Sequence, residues 1–239
     1  GNYGESFVMR ILDPRNTVKN LDGIAFGDKV REAVTMALAR PNGILLTTGP
    51  TGSGKTTTLY AFLNHVYTSE VKILTIEDPI EYHFEGITQT QVEDEKDYTF
   101  LSGLRAALRQ DPDVIMVGEI RDEDTAKVAI NAALTGHLVL STLHTNNAAG
   151  TFPRLIDLGV NPKVIAGALS LSLAQRLVRK LCNECKDVYE SSEKESRVIT
   201  NILGEMKLAK KEDSMGDIVL GVTYPLFRSH GCEHCSGTG

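Results

Sequence analysis

The 239-residue sequence has no run approaching the roughly 18 to 20 apolar residues of a membrane-spanning helix. Its longest apolar stretch, Val164 to Ala174, is broken by Gly167, Ser170 and Ser172. No N-terminal pattern of charge, apolar core and small-residue cleavage site is present. Positive charge is not in excess: 25 Lys and Arg against 31 Asp and Glu give a net charge of −6, which argues against a nucleic-acid surface. The guanine-reading tetrapeptide Asn-Lys-x-Asp does not occur, which weighs against a GTP-dependent switch. Cysteine is scarce; the four present fall in two pairs, and without a secretory signal they point to metal binding more than to disulfides. The first residue is Gly1, not Met, as expected of a fragment or a processed product. What remains, 41% hydrophobic and 23% charged, suits an ordinary globular chain: one large domain, or one domain with an appendage.

The chain is organised around Gly49-Pro50-Thr51-Gly52-Ser53-Gly54-Lys55-Thr56, which fits G-x-x-x-x-G-K-[ST]. Ile44 to Thr48 before it reads as a buried strand. Thr57 to Val66 after it, with Leu59, Phe62, Leu63 and Val66 on one face, reads as a helix. Glycines let successive backbone N–H groups turn inward toward phosphate oxygens, and the helix N-terminus adds partial positive charge. Lys55 is expected at the β- and γ-phosphates, the Thr56 hydroxyl at Mg²⁺, and Thr57 beside them. A chance glycine-rich turn is the competing reading, and the flanking strand and helix weigh against it.

Ser6 to Leu12 reads as a strand with no partner before it, a remnant of a preceding domain, and Asp13 to Gly23 as a linker. Lys29 to Ala39 has helical spacing. Val71 to Ile76 is a strand running into Glu77-Asp78-Pro79-Ile80-Glu81, at the edge where open parallel sheets bind ligands. Solvated caps of a turn are the alternative for these carboxylates. Thr99 to Arg109 reads as a helix with Arg105 and Arg109 on one face. Val114 to Val117 is a third buried strand, followed by Gly118-Glu119. That is a Walker B pattern except that Gly118 stands before a Glu, and an acid there can bind Mg²⁺ through water or polarise an attacking water. Glu123 to Thr135 is a helix closed by Gly136. His137 to Thr145 is a strand with a histidine at each end; His137 and His144 are both assigned to the nucleotide edge, against a purely structural role. Helices are predicted over Asn147 to Leu158 and Asn161 to Leu181. Cys182-x-x-Cys185 and Cys232-x-x-Cys235 form two knuckles that suit a tetrahedral structural Zn²⁺ site, across an interval longer than the usual ~15–20 residues. A redox-active thiol pair is the competing reading. His230 and His234 are available but unnecessary ligands.

These residues resemble the secretion-superfamily motor ATPases of type II secretion and type IV pilus assembly. Gly49 to Thr56 is the Walker A. Ile76 to Tyr82 is similar to the family's acidic box, Asp111 to Asp122 to its atypical Walker B, and Thr135 to Asn146 to its histidine box. The likeness runs from about Gly4 to Cys185, and the second cysteine pair extends it. By this resemblance Glu119 is the main catalytic carboxylate, and Glu77 and Glu81 help position metal and water. His137 and His144 couple the γ-phosphate to the sheet and to a neighbouring subunit, and Arg10 reaches the γ-phosphate from the preceding domain. The resemblance also implies a homo-hexamer working with an inner-membrane platform protein, in the cytoplasm and peripheral to the inner membrane, with no nucleic-acid partner. The family's large N-terminal region, and an arginine upstream of Arg10, have no counterpart in this sequence.

The expected architecture is α/β: a RecA-like P-loop NTPase core with a largely parallel sheet flanked by helices, plus a small C-terminal Cys₄ zinc module. The expected division is 1–22 as remnant and linker, 23–181 as ATPase core and 182–239 as metal-binding module. The expected function is ATP hydrolysis powering pilus assembly or protein secretion. Two alternatives are a nucleotide-binding structural subunit with little turnover and another P-loop translocase.

Overall fold

The computed structural model describes residues 20–208, 221 and 223–239. Arg10 and the strand expected at Ser6 to Leu12 lie outside these residues. The chain forms two compact units that divide between Leu177 and Val178.

The first unit begins with helix α1 (Asp28–Leu38), strand β1 (Gly43–Thr48), α2 (Lys55–Val66), β2 (Ile73–Glu77) and β3 (Thr88–Gln91). It continues with α3 (Phe100–Ala107), β4 (Val114–Val117), α4 (Glu123–Leu134), β5 (Leu138–Leu143), α5 (Thr151–Asp157), α6 (Pro162–Ala168) and β6 (Leu169–Ala174). The six strands form one sheet in the order β3-β2-β4-β5-β1-β6, every pair parallel. A parallel sheet covered on both faces needs apolar residues on both, so its strands read as continuous hydrophobic runs. In β1, Ile44 and Leu46 enter one core with Leu104 of α3, Ala129 of α4 and Ile165 of α6. Leu45 enters the other core with Val34 of α1 and Leu59, Phe62 and Leu63 of α2. Local chemistry fixes where these helices begin. The Asp122 carboxylate accepts the Thr125 N–H at 2.8 Å to start α4, and Asn161 accepts the Lys163 N–H at 2.9 Å with Pro162 opening α6.

Three parts of the chain differ from the sequence reading. The helix expected over Asn161 to Leu181 ends at Ala168, and Leu169 to Ala174 becomes β6, pairing in parallel with β1. The reason is visible in Leu169-Ser170-Leu171-Ser172-Leu173: its period is two, and β1 offers a free edge on that side. The interval between Cys185 and Cys232, for which no element was predicted, contains further regular structure, described below. Strand β3, Thr88-Gln89-Thr90-Gln91, was not anticipated because an edge strand made of polar residues carries no hydrophobic alternation.

Close packing of β6 on β1 depends on Gly43, whose φ is +126° and at which an added Cβ would lie 2.1 Å from Ser170 Oγ. We expect Gly43→Ala to destabilise the unit by about 1–3 kcal/mol through backbone strain and displacement of Ser170. A thermal melt that matched the parent's would show that β6 does not need this approach.

The second unit contains an antiparallel pair, β7 (Lys186–Glu190) and β8 (Pro225–Ser229), with Val188 opposite Phe227. Helix α7 (Glu193–Leu208) follows β7. The Glu195 carboxylate accepts the Ser192 N–H at 2.9 Å and the Tyr189 hydroxyl at 3.0 Å, which ties the start of the helix to the strand. Both Cys-x-x-Cys knuckles flank this pair, so the pairing of β7 with β8 brings together cysteines that are far apart in sequence.

Candidate functional site

Strand β1 delivers the chain into the glycine loop at the carboxyl edge of the sheet. Gly49, Gly52 and Gly54 take φ values of +143°, +76° and +87°, and α2 then starts on Lys55. At Gly49 a Cβ would come within 2.6 Å of both Gln175 O and Ser53 Oγ, so the loop folds tightly only with glycine there. The Lys55 ammonium donates to the Gly49 and Pro50 carbonyls at 3.0 and 3.1 Å, which holds its charge at the loop. Burial lowers its pKa, and the nearby Glu119 carboxylate acts in the opposite direction.

A cleft of about 520 Å³ opens beside the loop. Thr51, Gly52, Gly54, Lys55, Thr56 and Thr57 line one side; Glu77, Asp78, Pro79, Glu81, Glu119, Thr142 and His144 line the other. Ser53 is buried behind the loop, and Gly49 and Pro50 contribute their carbonyls to Lys55. Glu119, just beyond β4, is an ion-pair partner of Arg121, and its other oxygen lies 3.4 Å from His144 Nε2. Only 15% of the Glu119 side chain is exposed, so these partners fix its direction. The glycine before it has a steric cause. A Cβ on Gly118 would sit 3.3 Å from Ile76 O and the Phe100 ring, and 3.6 Å from Glu77 Cα. The departure from the usual Walker B pattern lets β4 approach the acidic box of β2.

His137 is not brought to this cleft. It precedes β5 and therefore stands at the sheet's amino edge, about 20 Å from the carboxyl edge by the rise of a six-residue strand. Its Nδ1 lies 3.1 Å from Ala132 O, at the end of α4. The expectation that both histidines share the nucleotide edge is corrected on this point: one strand cannot place residues from its two ends at the same edge.

Four side chains that the sequence did not single out support the site. The Tyr60 hydroxyl donates to Glu77 Oε2 from inside α2. Thr75 Oγ1 and Gln89 Nε2 donate to Glu77 Oε1 at 2.6 and 3.0 Å. Gln175, where β6 ends, donates its Nε2–H to Ser53 O at 2.8 Å and its backbone N–H to Thr48 O at 3.0 Å, bracing the glycine loop. Tyr60, Gln89 and Gln175 carry no local signal because each acts on an element elsewhere in the sequence, and Thr75, two residues before Glu77 on β2, sits in an otherwise apolar strand and reads as core.

In the second unit the four thiols gather, all Sγ atoms within 4.8 Å of one another. Cys182–Cys232, Cys185–Cys235 and Cys232–Cys235 are separated by 4.0, 3.9 and 3.8 Å. A disulfide needs about 2.05 Å. A tetrahedron with Zn–S bonds of about 2.3 Å has edges of about 3.8 Å, so the donor set fits a single zinc ion. N–H groups of Cys232 and Gly239 point at Cys235 Sγ from 3.2 and 3.1 Å, and these bonds, the Cys232 one first, pull its thiol down to about 6. His230 is 3.2 Å from Asp187 and outside the thiol cluster.

The sheet order, the glycine loop at the end of a central strand and the acids on neighbouring strand ends define a RecA-like P-loop nucleotide-binding domain. A family model described as Type II/IV secretion system protein matches residues 1–239, and the chain belongs to that family. The type II secretion system protein E of Klebsiella pneumoniae is 56% identical over 240 residues, covering 100% of this chain and 44% of the relative. The type IV pilus assembly ATPase PilB of Pseudomonas aeruginosa is 46% identical, covering 98% of this chain and 38% of the relative. Among solved structures, the pilus retraction motor PilT with bound ADP superimposes with a TM-score of 0.56 at 41% identity, covering 64% of this chain and 47% of PilT. The Legionella pneumophila ATPase DotB gives 0.55 at 36% identity, covering 64% of this chain and 44% of DotB. The chain spans less than half the length of these curated relatives.

Proposed function

We propose that this chain is the motor core of a ring-forming ATPase that drives type IV pilus assembly or type II secretion. It works from the cytoplasmic face of the inner membrane, through a platform protein there. The observation that carries the reading is the cleft itself, lined by Lys55 and Thr56 at a helix N-terminus and by Glu119, Glu81 and His144, which follow the carboxyl ends of the neighbouring strands β4, β2 and β5. No described helix is long and apolar enough to cross a membrane.

In this reading the loop N–H groups and Lys55 hold the β- and γ-phosphates of ATP, which is the substrate. The Thr56 hydroxyl and the cleft carboxylates suit a hard cation, and Mg²⁺ there would neutralise charge on the phosphate oxygens. Glu119 orients the attacking water and accepts its proton as the γ-phosphoryl group leaves ADP. His144, beside Glu119, responds to the γ-phosphate side of the cleft. Arg10 supplies transition-state charge from the preceding domain. Residues 23–181 are the ATPase core, and 182–239 is a zinc-stiffened module. The relatives' secretion and pilus names, and their ATPase titles, support this assignment.

Mg²⁺-dependent phosphate release, measured on the full-length protein over a range of protein concentrations, tests the proposal. Specific activity should rise with concentration as a homo-hexamer assembles. ATP binding without turnover at every concentration would instead identify a nucleotide-binding structural subunit.

A further inference from the structure

The loop from Asp78 to Phe84, which carries Glu81 into the cleft, is held by hydrogen bonds converging from two elements. Fully buried Tyr60, in α2, donates its hydroxyl proton to Glu77 and accepts the Glu81 N–H at 3.3 Å. Its ring packs edge-on against Tyr82 at 5.7 Å and, tilted at 47°, against Phe84 at 5.3 Å between ring centroids. From the other side, Gln89 of β3 donates to Glu77 Oε1 and to Tyr82 O, at 3.0 and 2.9 Å, and accepts the Phe84 N–H at 2.8 Å. Gln91, on the same face of β3, accepts the Ile80 N–H at 3.1 Å. The polar composition that hid β3 from a periodicity reading is therefore what fastens the loop.

Glu77 is the hub of this arrangement. Its side chain accepts from Tyr60, Thr75 and Gln89, three of the about four acceptor positions of a carboxylate. Glu77 is 2% exposed, and each of these bonds keeps a charged group satisfied inside the protein. Removing one donor leaves a buried carboxylate under-satisfied and frees the loop that it anchors.

We infer that Tyr60 and Gln89 are positioning residues that, by bridging buried Glu77 and the loop backbone, fix Glu81 for the metal and water of the reaction. The inference deepens, and rests on, the ATP-hydrolysis reading above. Tyr60→Phe keeps the ring and its packing and removes only the hydroxyl. In the full-length protein it should lower kcat tenfold or more while leaving KM for ATP within about twofold, because the Lys55 side of the cleft is untouched and only the acidic side is displaced. If Tyr60 works through Glu81, Tyr60→Phe and Glu81→Gln are not additive, and the double variant should have the kcat of Glu81→Gln alone. A purely structural role predicts multiplied losses instead.

Gln89→Met, at a half-buried position on the edge strand, removes the second support and serves if Tyr60→Phe fails to fold. The same kcat loss and the same non-additivity with Glu81→Gln are expected. Wild-type kcat in either variant, a change confined to KM, or multiplied effects in the double variants would overturn the inference and leave the ATPase reading standing. Absence of turnover in the wild-type protein would overturn both.

Discussion

Glu119→Gln is expected to lower kcat by about 10²- to 10⁴-fold while ATP binding stays within a few-fold of the parent. The substitution keeps the length and shape of the side chain and removes its charge. Loop glycines, Lys55 and Thr56, which hold the phosphates in the proposed mechanism, lie on the other side of the cleft and are untouched. What is lost is an acceptor able to take a proton from water, together with the ion pair to Arg121 and the approach of His144 at 3.4 Å. The loss therefore falls on steps after binding, and phosphate release and fluorescent-nucleotide titration on the same preparation separate the two. Lys55→Ala provides the contrast, since it should weaken binding itself by removing the cation the loop carbonyls hold. A Glu119→Gln protein that turned over ATP at the parent rate would exclude Glu119 as the catalytic carboxylate. Glu81 and Asp78, which also line the cleft, would then be the carboxylates to substitute next.

How much of this was legible in the sequence follows from how local each signal is. The glycine loop needs eight consecutive residues between a strand and a helix, and the order of its residues specifies it. Glu119, Glu77 and Glu81 could be found because each closely follows or ends an apolar strand, and in a parallel sheet those ends lie together. His144 belongs to the same class. His137 does not, because it begins β5 and residues at the two ends of one strand point to opposite edges of the sheet. Strand β6 was read as helix because apolar residues lie close enough together from Val164 onward to satisfy either period. The competing Leu-Ser alternation gained its weight only from the free edge of β1. Tyr60, Gln89 and Gln175 were silent for a common reason: a hydrogen bond between residues distant in the chain leaves no periodic trace. Tyr60 sits among apolar positions of α2 and looks like core until its hydroxyl is seen to meet Glu77.

The cysteines were legible as ligands but not as a structural unit, and the unit gives the largest expected stability effect. Leu203 and Tyr224, with Cys185, are the buried hydrophobic residues described between Val178 and Gly239. So small a core is marginal by itself, and domains of this size depend on a metal or a cross-link. The thiol spacing of 3.8 to 4.0 Å matches a zinc tetrahedron and not a disulfide. We therefore expect one zinc per chain in the purified protein, and none after Cys185→Ser, which replaces the most buried of the four thiols. Structural zinc contributes about 10–16 kcal/mol of apparent binding free energy in small sites, far more than this core can replace. The variant should lose hydrogen-exchange protection across β7, α7 and β8, while protection of β1, β4 and β5, in a separate compact unit, stays at the parent level. Zinc content by atomic absorption and exchange by mass spectrometry read the two halves of this expectation independently. Retained zinc in Cys185→Ser would remove that thiol from the donor set. A metal-free protein whose β7–β8 pair stayed protected would show that hydrogen bonds such as those Glu195 accepts from Ser192 and Tyr189 suffice to hold the unit, and would leave the thiols to redox chemistry.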